Sequence, residues 1–169
     1  RQGIRESYAN GTHAQVSFVL ADGDQLPFRD GSFDRVMTYG VLHHLPNPDK
    51  SCKEFQRILT SDGVYLGSEN NDSPIRPVFD LLMRVLPLWH EKAGAEPLIS
   101  KTKLAAWHGS GGVTIQEQYR VYLPPHLYNI AGDTLALGVM KASDTLFDAL
   151  PFVRKLAGLI VYEVRFGPK

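Results

Sequence analysis

Several residue groups have types and spacings suited to chemistry. Asp22, followed by Gly23 and Asp24, stands just past a short apolar run. A carboxylate there accepts what ribose hydroxyls and an adenine amino group donate. The position equally suits an aspartate that caps its own turn, and Asp24 reads as a turn residue of that kind. His43 and His44 follow a second apolar run. Either ring suits general-base work, since an unperturbed imidazole titrates at about 6.5. Either also suits packing under the next helix with a hydrogen bond to backbone. Adjacent side chains diverge and no third ligand stands at a suggestive spacing, so no metal site is expected. Cys52 falls on the apolar face of a helix and reads as a buried, inert thiol. Gly109, Gly111 and Gly112 flank Ser110, but they follow a helix and open a strand, the reverse of a phosphate loop's context, and read as a turn. A serine nucleophile elbow, G-x-S-x-G, is absent.

The elements that must carry these residues follow from pattern. VSFVL at 16–20 is short, apolar and β-branched, and reads as a buried strand ending at the acidic turn 21–24. Pro27 and Gly31 break the chain before a second strand at 34–39, closed by Gly40. Asn47, Pro48 and Asp49 supply a helix cap, a first-turn proline and a first-turn acid. That helix runs to about 59 and buries Cys52, Phe55, Ile58 and Leu59 on one face. Asp62 and Gly63 turn into a third strand at 64–69. Strand, helix, strand makes a βαβ unit, and hence an α/β fold with a mostly parallel sheet. Ligands of such sheets bind beyond the carboxyl ends of the strands. Three polar loops, at 22, 39–44 and 68–72, are expected to converge there.

The second half reads as an apolar helix at 76–86, a helix at 101–107, a strand across 113–123 halted by Pro124 and Pro125, a helix at 132–150 and a last strand at 159–166. The apolar stretch 77–89, with Arg76, Arg84, His90, Lys92 and Trp89 around it, reads as core. It also suits a helix resting on a membrane interface or covering a greasy substrate.

Composition bounds the partners. The 169 residues hold 18 Lys+Arg against 18 Asp+Glu, so no net field draws a polyanion and nucleic acid is not an expected partner. One cysteine excludes an internal disulfide and suits the cytoplasm. No run is long and apolar enough to span a bilayer. Residue 1 is Arg, and 1–8 read as the closing turns of a helix, so a piece of a longer protein is expected. A single domain occupies 1–169, and the oligomeric state is open.

The strings ADGDQLPF at 21–28, GSFDRV at 31–36 and YGVLHHL at 39–45 resemble class I S-adenosylmethionine-dependent methyltransferases, nearest the small-molecule, quinone-biosynthesis-like branch. The resemblance is specific over about 1–70. It implies a Rossmann-like, doubly wound sheet, with 1–70 forming the cofactor side and 71–169 the acceptor side, closed by two antiparallel strands. It also implies that Asp22, Gly23 and Leu26 contact the adenine end of S-adenosylmethionine. Tyr39, Gly40 and Val41 would line its methionine side, and His43 and His44 would sit at the reaction chamber. The family's glycine-rich loop and ribose-binding acid would precede residue 1. Their strands lie between 16–20 and 34–39 in the family's sheet, so this chain is expected to bind cofactor weakly and to be inactive alone. The aromatic residues Trp89, Trp107, Tyr119, Tyr122 and Tyr128 favour a lipophilic or aromatic acceptor such as a lipid, quinone or lipid-linked sugar. Rival readings are a non-catalytic remnant acting as a binding module, and an NAD(P)-dependent oxidoreductase, which lacks its G-x-G-x-x-G signature here.

Overall fold

A computed structural model describes residues 16–78, 81, 97–109, 113–123 and 131–167. Strand β1 (Phe33–Tyr39) leads through the turn at 40–47 to helix α1 (Pro48–Ile58) and directly into strand β2 (Leu59–Asn70). Helix α2 (Lys101–His108), strand β3 (Thr114–Arg120), helix α3 (Asp133–Asp148) and strand β4 (Leu159–Arg165) follow. The sheet order is β1-β2-β4-β3. β1 and β2 run parallel, while β4 is antiparallel to both β2 and β3.

The α/β architecture, the βαβ unit and the two terminal antiparallel strands are as expected; among the described residues one strand pair of three is parallel. The 16–20 segment differs. It forms no strand, and Phe18, Val19 and Leu20 are exposed. Its sequence has a strand's composition, but a strand exists only where a neighbour takes its N–H and C=O groups. Among the described residues none lies beside it. Among the described residues β1 likewise pairs only with β2, and Met37 and Tyr39 on one of its faces are exposed.

Strand β2 begins at Leu59, five residues before the expected start, because Phe33 pairs with Leu59 and the register shifts before Arg35 meets Val64. The 60–63 stretch is absorbed in that irregularity rather than forming a separate turn. β3 stops at Arg120 because Val121 takes a left-handed conformation (φ 64°) that ends the pleat. Asp144 of α3 fixes it there by accepting from Val121 N (2.9 Å) and Tyr122 N (3.4 Å).

The core lies between the sheet and helices α1 and α2. Cys52, Phe55 and Leu59 pack with Tyr65, Leu104, Tyr162 and Val164, each large apolar side chain contributing roughly 1.5–3 kcal/mol by leaving water. A chain of hydroxyls crosses three strands, with Thr38 Oγ1 2.6 Å from the Tyr65 hydroxyl and that 3.1 Å from the Tyr162 hydroxyl. Gly67 makes this possible, since a Cβ there would fall inside the Tyr162 ring. The helices expected at 1–8 and over most of 76–86, together with Trp89, Pro124, Pro125 and Tyr128, fall outside the described residues.

Candidate functional site

The site is built at the carboxyl ends of β1 and β2. The parallel ladder carries one residue past β1, with Gly40 N donating to Ser68 O at 2.7 Å. Gly40 then turns the chain at φ +60°, a conformation that favours glycine. A single turn of 3-10 helix, Leu42–His44, follows and delivers the chain to α1.

One side chain organises this turn. Glu69, the penultimate residue of β2, is 1% exposed. Its Oε1 accepts from Leu42 N at 2.9 Å and Val41 N at 3.3 Å, and its Oε2 lies 2.5 Å from His43 Nδ1. The His43 side chain is 1% exposed, and its Nε2 is buried without a hydrogen-bond partner. His44 is exposed, its ring tilted against that of His43 with centroids 4.0 Å apart.

The loop holding Asp22 runs along α1 and is pinned at successive helical turns. Asp24 accepts from Asn47 Nδ2 (2.5 Å) and Ser51 Oγ (2.7 Å). These bonds, Ser51 first, hold its carboxyl below the usual carboxylate range. Leu26 N donates to Glu54 Oε2 at 2.9 Å, and the Arg57 guanidinium donates to the carbonyls of Leu26 and Phe28 and to Asp30. Asn47 precedes the helix as expected but does not cap it with its side chain, which is engaged with Asp24.

Asp22 itself is exposed. Its Oδ1 accepts from Asp24 N at 3.0 Å, the turn-capping role weighed from sequence. Oδ2 has no partner among the described residues, so the second role is not used up. Gly23 lies against Leu45, where an added Cβ would come 3.1 Å from a leucine methyl, and Leu26 is half-buried against the core. Leu45 ends the turn that starts at Gly40, so it connects the two loops. No hydrogen bond joins Asp22 to the 40–44 turn among the described residues.

The third polar loop, 68–72, joins the site through its first two residues, Ser68 and Glu69, which hold the 40–44 turn. Beyond them the chain turns away: Asn71 Nδ2 donates to Ala157 O at 2.8 Å and Ser73 Oγ to Leu156 O at 3.0 Å, so both tie down the segment before β4. Glu69 is expected on this rim from the sequence, but without a chemical role. Its signal was a carboxylate at the end of an otherwise apolar strand, but its partners lie 26 to 28 residues away and meet it only through the parallel register.

Cys52 is buried, its thiol pushed up to about 12 by desolvation, as expected of an inert thiol. Its Sγ lies 3.8 Å from His108 Nε2. Burial brings His108 down to about 4, so that ring is neutral at physiological pH. Of the aromatic residues assigned to an acceptor pocket, Trp107 and Tyr119 are half-buried against the core. Tyr122 is buried against Phe147, its hydroxyl unpartnered. No described helix is long and apolar enough to cross a membrane.

Comparison with known proteins agrees with this geometry. Residues 3–67 match the family described as methyltransferase domain. Demethylmenaquinone methyltransferase of Corynebacterium glutamicum is 40% identical over 85 residues, covering 47% of this chain and 36% of the relative. Sterol 4-C-methyltransferase strm-1 of Caenorhabditis elegans is 37% identical over 62 residues, covering 36% of this chain and 19% of the relative. These alignments span about a third or less of the relatives' length. Among solved structures, an S-adenosylmethionine-dependent methyltransferase of Thermotoga maritima superposes with a TM-score of 0.55 at 15% identity, covering 95% of this chain and 68% of that one, which shows a shared fold. The chain therefore shares the Rossmann-like fold of that methyltransferase structure, and its residues 3–67 match the methyltransferase-domain family.

Proposed function

We propose that this chain forms part of an S-adenosylmethionine-dependent methyltransferase acting on a small lipophilic or aromatic acceptor. The observation that carries the reading is the 40–44 turn at the carboxyl end of β1, which lies within the residues that match the methyltransferase family and is suspended from Glu69 of β2, two residues beyond them. The donor set fits the cofactor's chemistry. Asp22 offers a free carboxylate oxygen to an amino or hydroxyl donor, Gly23 offers backbone, and Leu26 offers an apolar wall. Tyr39 and Val41 are exposed on either side of Gly40, where no side chain intrudes. When bound, the cofactor's sulfonium supplies an electrophilic methyl group for in-line displacement by an O, N or C nucleophile. The chain's residues hold donor and acceptor in line, and His43 or His44 takes a proton where the acceptor must lose one.

Residues 1–70 form the cofactor side and 71–169 the acceptor side of one domain. The relatives named for demethylmenaquinone and sterol methylation support a quinone-like or lipid acceptor, and the single buried Cys52 supports a cytoplasmic location. A non-catalytic binding module is the alternative, favoured by the unpaired 16–20 segment and by a β1 that pairs with β2 alone among the described residues.

Calorimetric titration of S-adenosylhomocysteine separates these readings. It should be run on this chain, on the product of the natural open reading frame, and on each with Asp22→Ala. Binding by the product of the natural open reading frame, weakened about tenfold or more by the substitution, is expected. Binding by neither supports the non-catalytic module.

A further inference from the structure

Glu69 spends its whole carboxylate on three consecutive residues of the 40–44 turn. Oε1 takes two backbone N–H groups and Oε2 takes the His43 ring, with both side chains out of solvent. A carboxylate that meets only N–H donors is a pure acceptor. With Glu69 as the acceptor, the hydrogen between it and His43 sits on Nδ1, and in that tautomer Nε2 carries a lone pair. That atom is buried and has no partner among the described residues. Leaving a buried polar atom unsatisfied is costly, and in native proteins such atoms have an explanation. Structural support of the turn accounts for the two backbone bonds to Oε1. It does not account for a ring held by one nitrogen with the other left waiting beside Gly40, whose added Cβ would stand 4.0 Å from His43 Cε1.

We infer that Glu69 is a positioning residue that fixes His43 in the Nδ1–H form, so that Nε2 accepts a hydrogen bond from an O–H or N–H donor of a small molecule bound at the 40–44 turn. The inference rests on the methyltransferase reading for the nature of that molecule, and two donors meet the chemistry: the cofactor's amino or hydroxyl groups, and a hydroxyl of a hydroquinone-like acceptor. If the donor is an acceptor hydroxyl, its proton passes to Nε2. The hydroxyl oxygen keeps the electron pair, and the imidazolium formed is balanced by the Glu69 carboxylate.

The test is nitrogen-15 NMR of the His43 ring in the full-length protein, with Glu69→Gln beside it. The unliganded wild type should show the Nδ1–H form. Glutamine keeps an oxygen for the two backbone donors but presents an amide N–H to the ring, so the variant should fold and show the Nε2–H form. S-adenosylhomocysteine and 1,4-dihydroxynaphthalene are the two probes, with 1,4-dimethoxynaphthalene as the control that lacks a donor. One probe should shift the wild-type Nε2 resonance and bind about tenfold more weakly to the variant, while the control shifts nothing. Wild-type His43 in the Nε2–H form, or an Nε2 resonance unmoved by both probes, overturns the inference. If S-adenosylhomocysteine binds wild type and variant equally and the ring is silent to both probes, the inference fails while the methyltransferase reading stands. If Glu69→Gln does not fold, the wild-type tautomer and titrations decide alone.

Discussion

Two charged side chains hold loops at opposite ends of the β1–α1–β2 unit, and they do so in different surroundings. At the amino end Arg57 gathers the 26–30 loop, and its side chain is 31% exposed. At the carboxyl end Glu69 gathers the 40–44 turn with a side chain wholly out of solvent. Water competes for every bond Arg57 makes and replaces any that is lost, so its pairs with Glu54 and Asp30 contribute little net stability. Nothing replaces the bonds to Glu69. A scaffold loop tolerates the first arrangement, and the turn assigned to ligand binding has the second.

Substitutions at the two ends should separate accordingly. Glu69→Ala leaves Leu42 N and His43 Nδ1, with the part-buried Val41 N, without an acceptor. It should cost roughly 1–3 kcal/mol for each buried donor left unsatisfied, read as a lower denaturant midpoint. A cost within about 1 kcal/mol would show the turn to be hydrated and the contrast false.

The second effect lies in the core beside Cys52. His108 titrates at about 4 when folded, lowered by burial, against 6.5 as its ordinary value. Between those pH values the unfolded chain holds a proton that the folded chain does not. Stability should therefore be fully present above about pH 6.5 and fall as pH drops toward about 4, by on the order of 3 kcal/mol. His108→Phe should flatten that window. Asp24 and Glu54, both held below their ordinary range by hydrogen bonds, lose their contributions at more acid pH, so the two regions are distinguishable in one pH series.

How much of this was legible in the sequence depends on the range of the interaction concerned. The α1 face of Cys52, Phe55 and Ile58 is buried as its spacing implies, because helical periodicity is a local property. The 16–20 run reads as a strand and is not one, since its hydrogen-bonding partners are not a local property. Asp24 lies in the turn as expected but does not cap it: its carboxylate is tied to Asn47 and Ser51, and the tie to Ser51 crosses 27 positions and is invisible before α1 is laid beside the loop. The Glu69 to His43 contact required the register of Tyr39 opposite Ser68, which no spacing rule supplies. Family motifs pointed to 39–45 for reasons the residues alone did not give.

Smaller changes sharpen the contrast. Gly40→Ala places a Cβ at φ +60° and should cost roughly 1–2 kcal/mol, with cofactor affinity falling alongside stability. Arg57→Ala should cost about 1 kcal/mol or less and leave ligand binding unchanged in calorimetry. Equal losses of affinity in the two variants would mean that the amino-end loop also forms the site.

The most direct test of the central claim, that the carboxyl-end turn and the Asp22 loop form a cofactor site, is to locate bound cofactor. Ultraviolet cross-linking of radiolabelled S-adenosylmethionine to the full-length protein, followed by peptide mapping, should place label within 20–26 or 39–45 and lose it with excess S-adenosylhomocysteine. Label confined to the 26–30 loop near Arg57 or to the β3–β4 half would contradict the account, as would label that competitor does not displace.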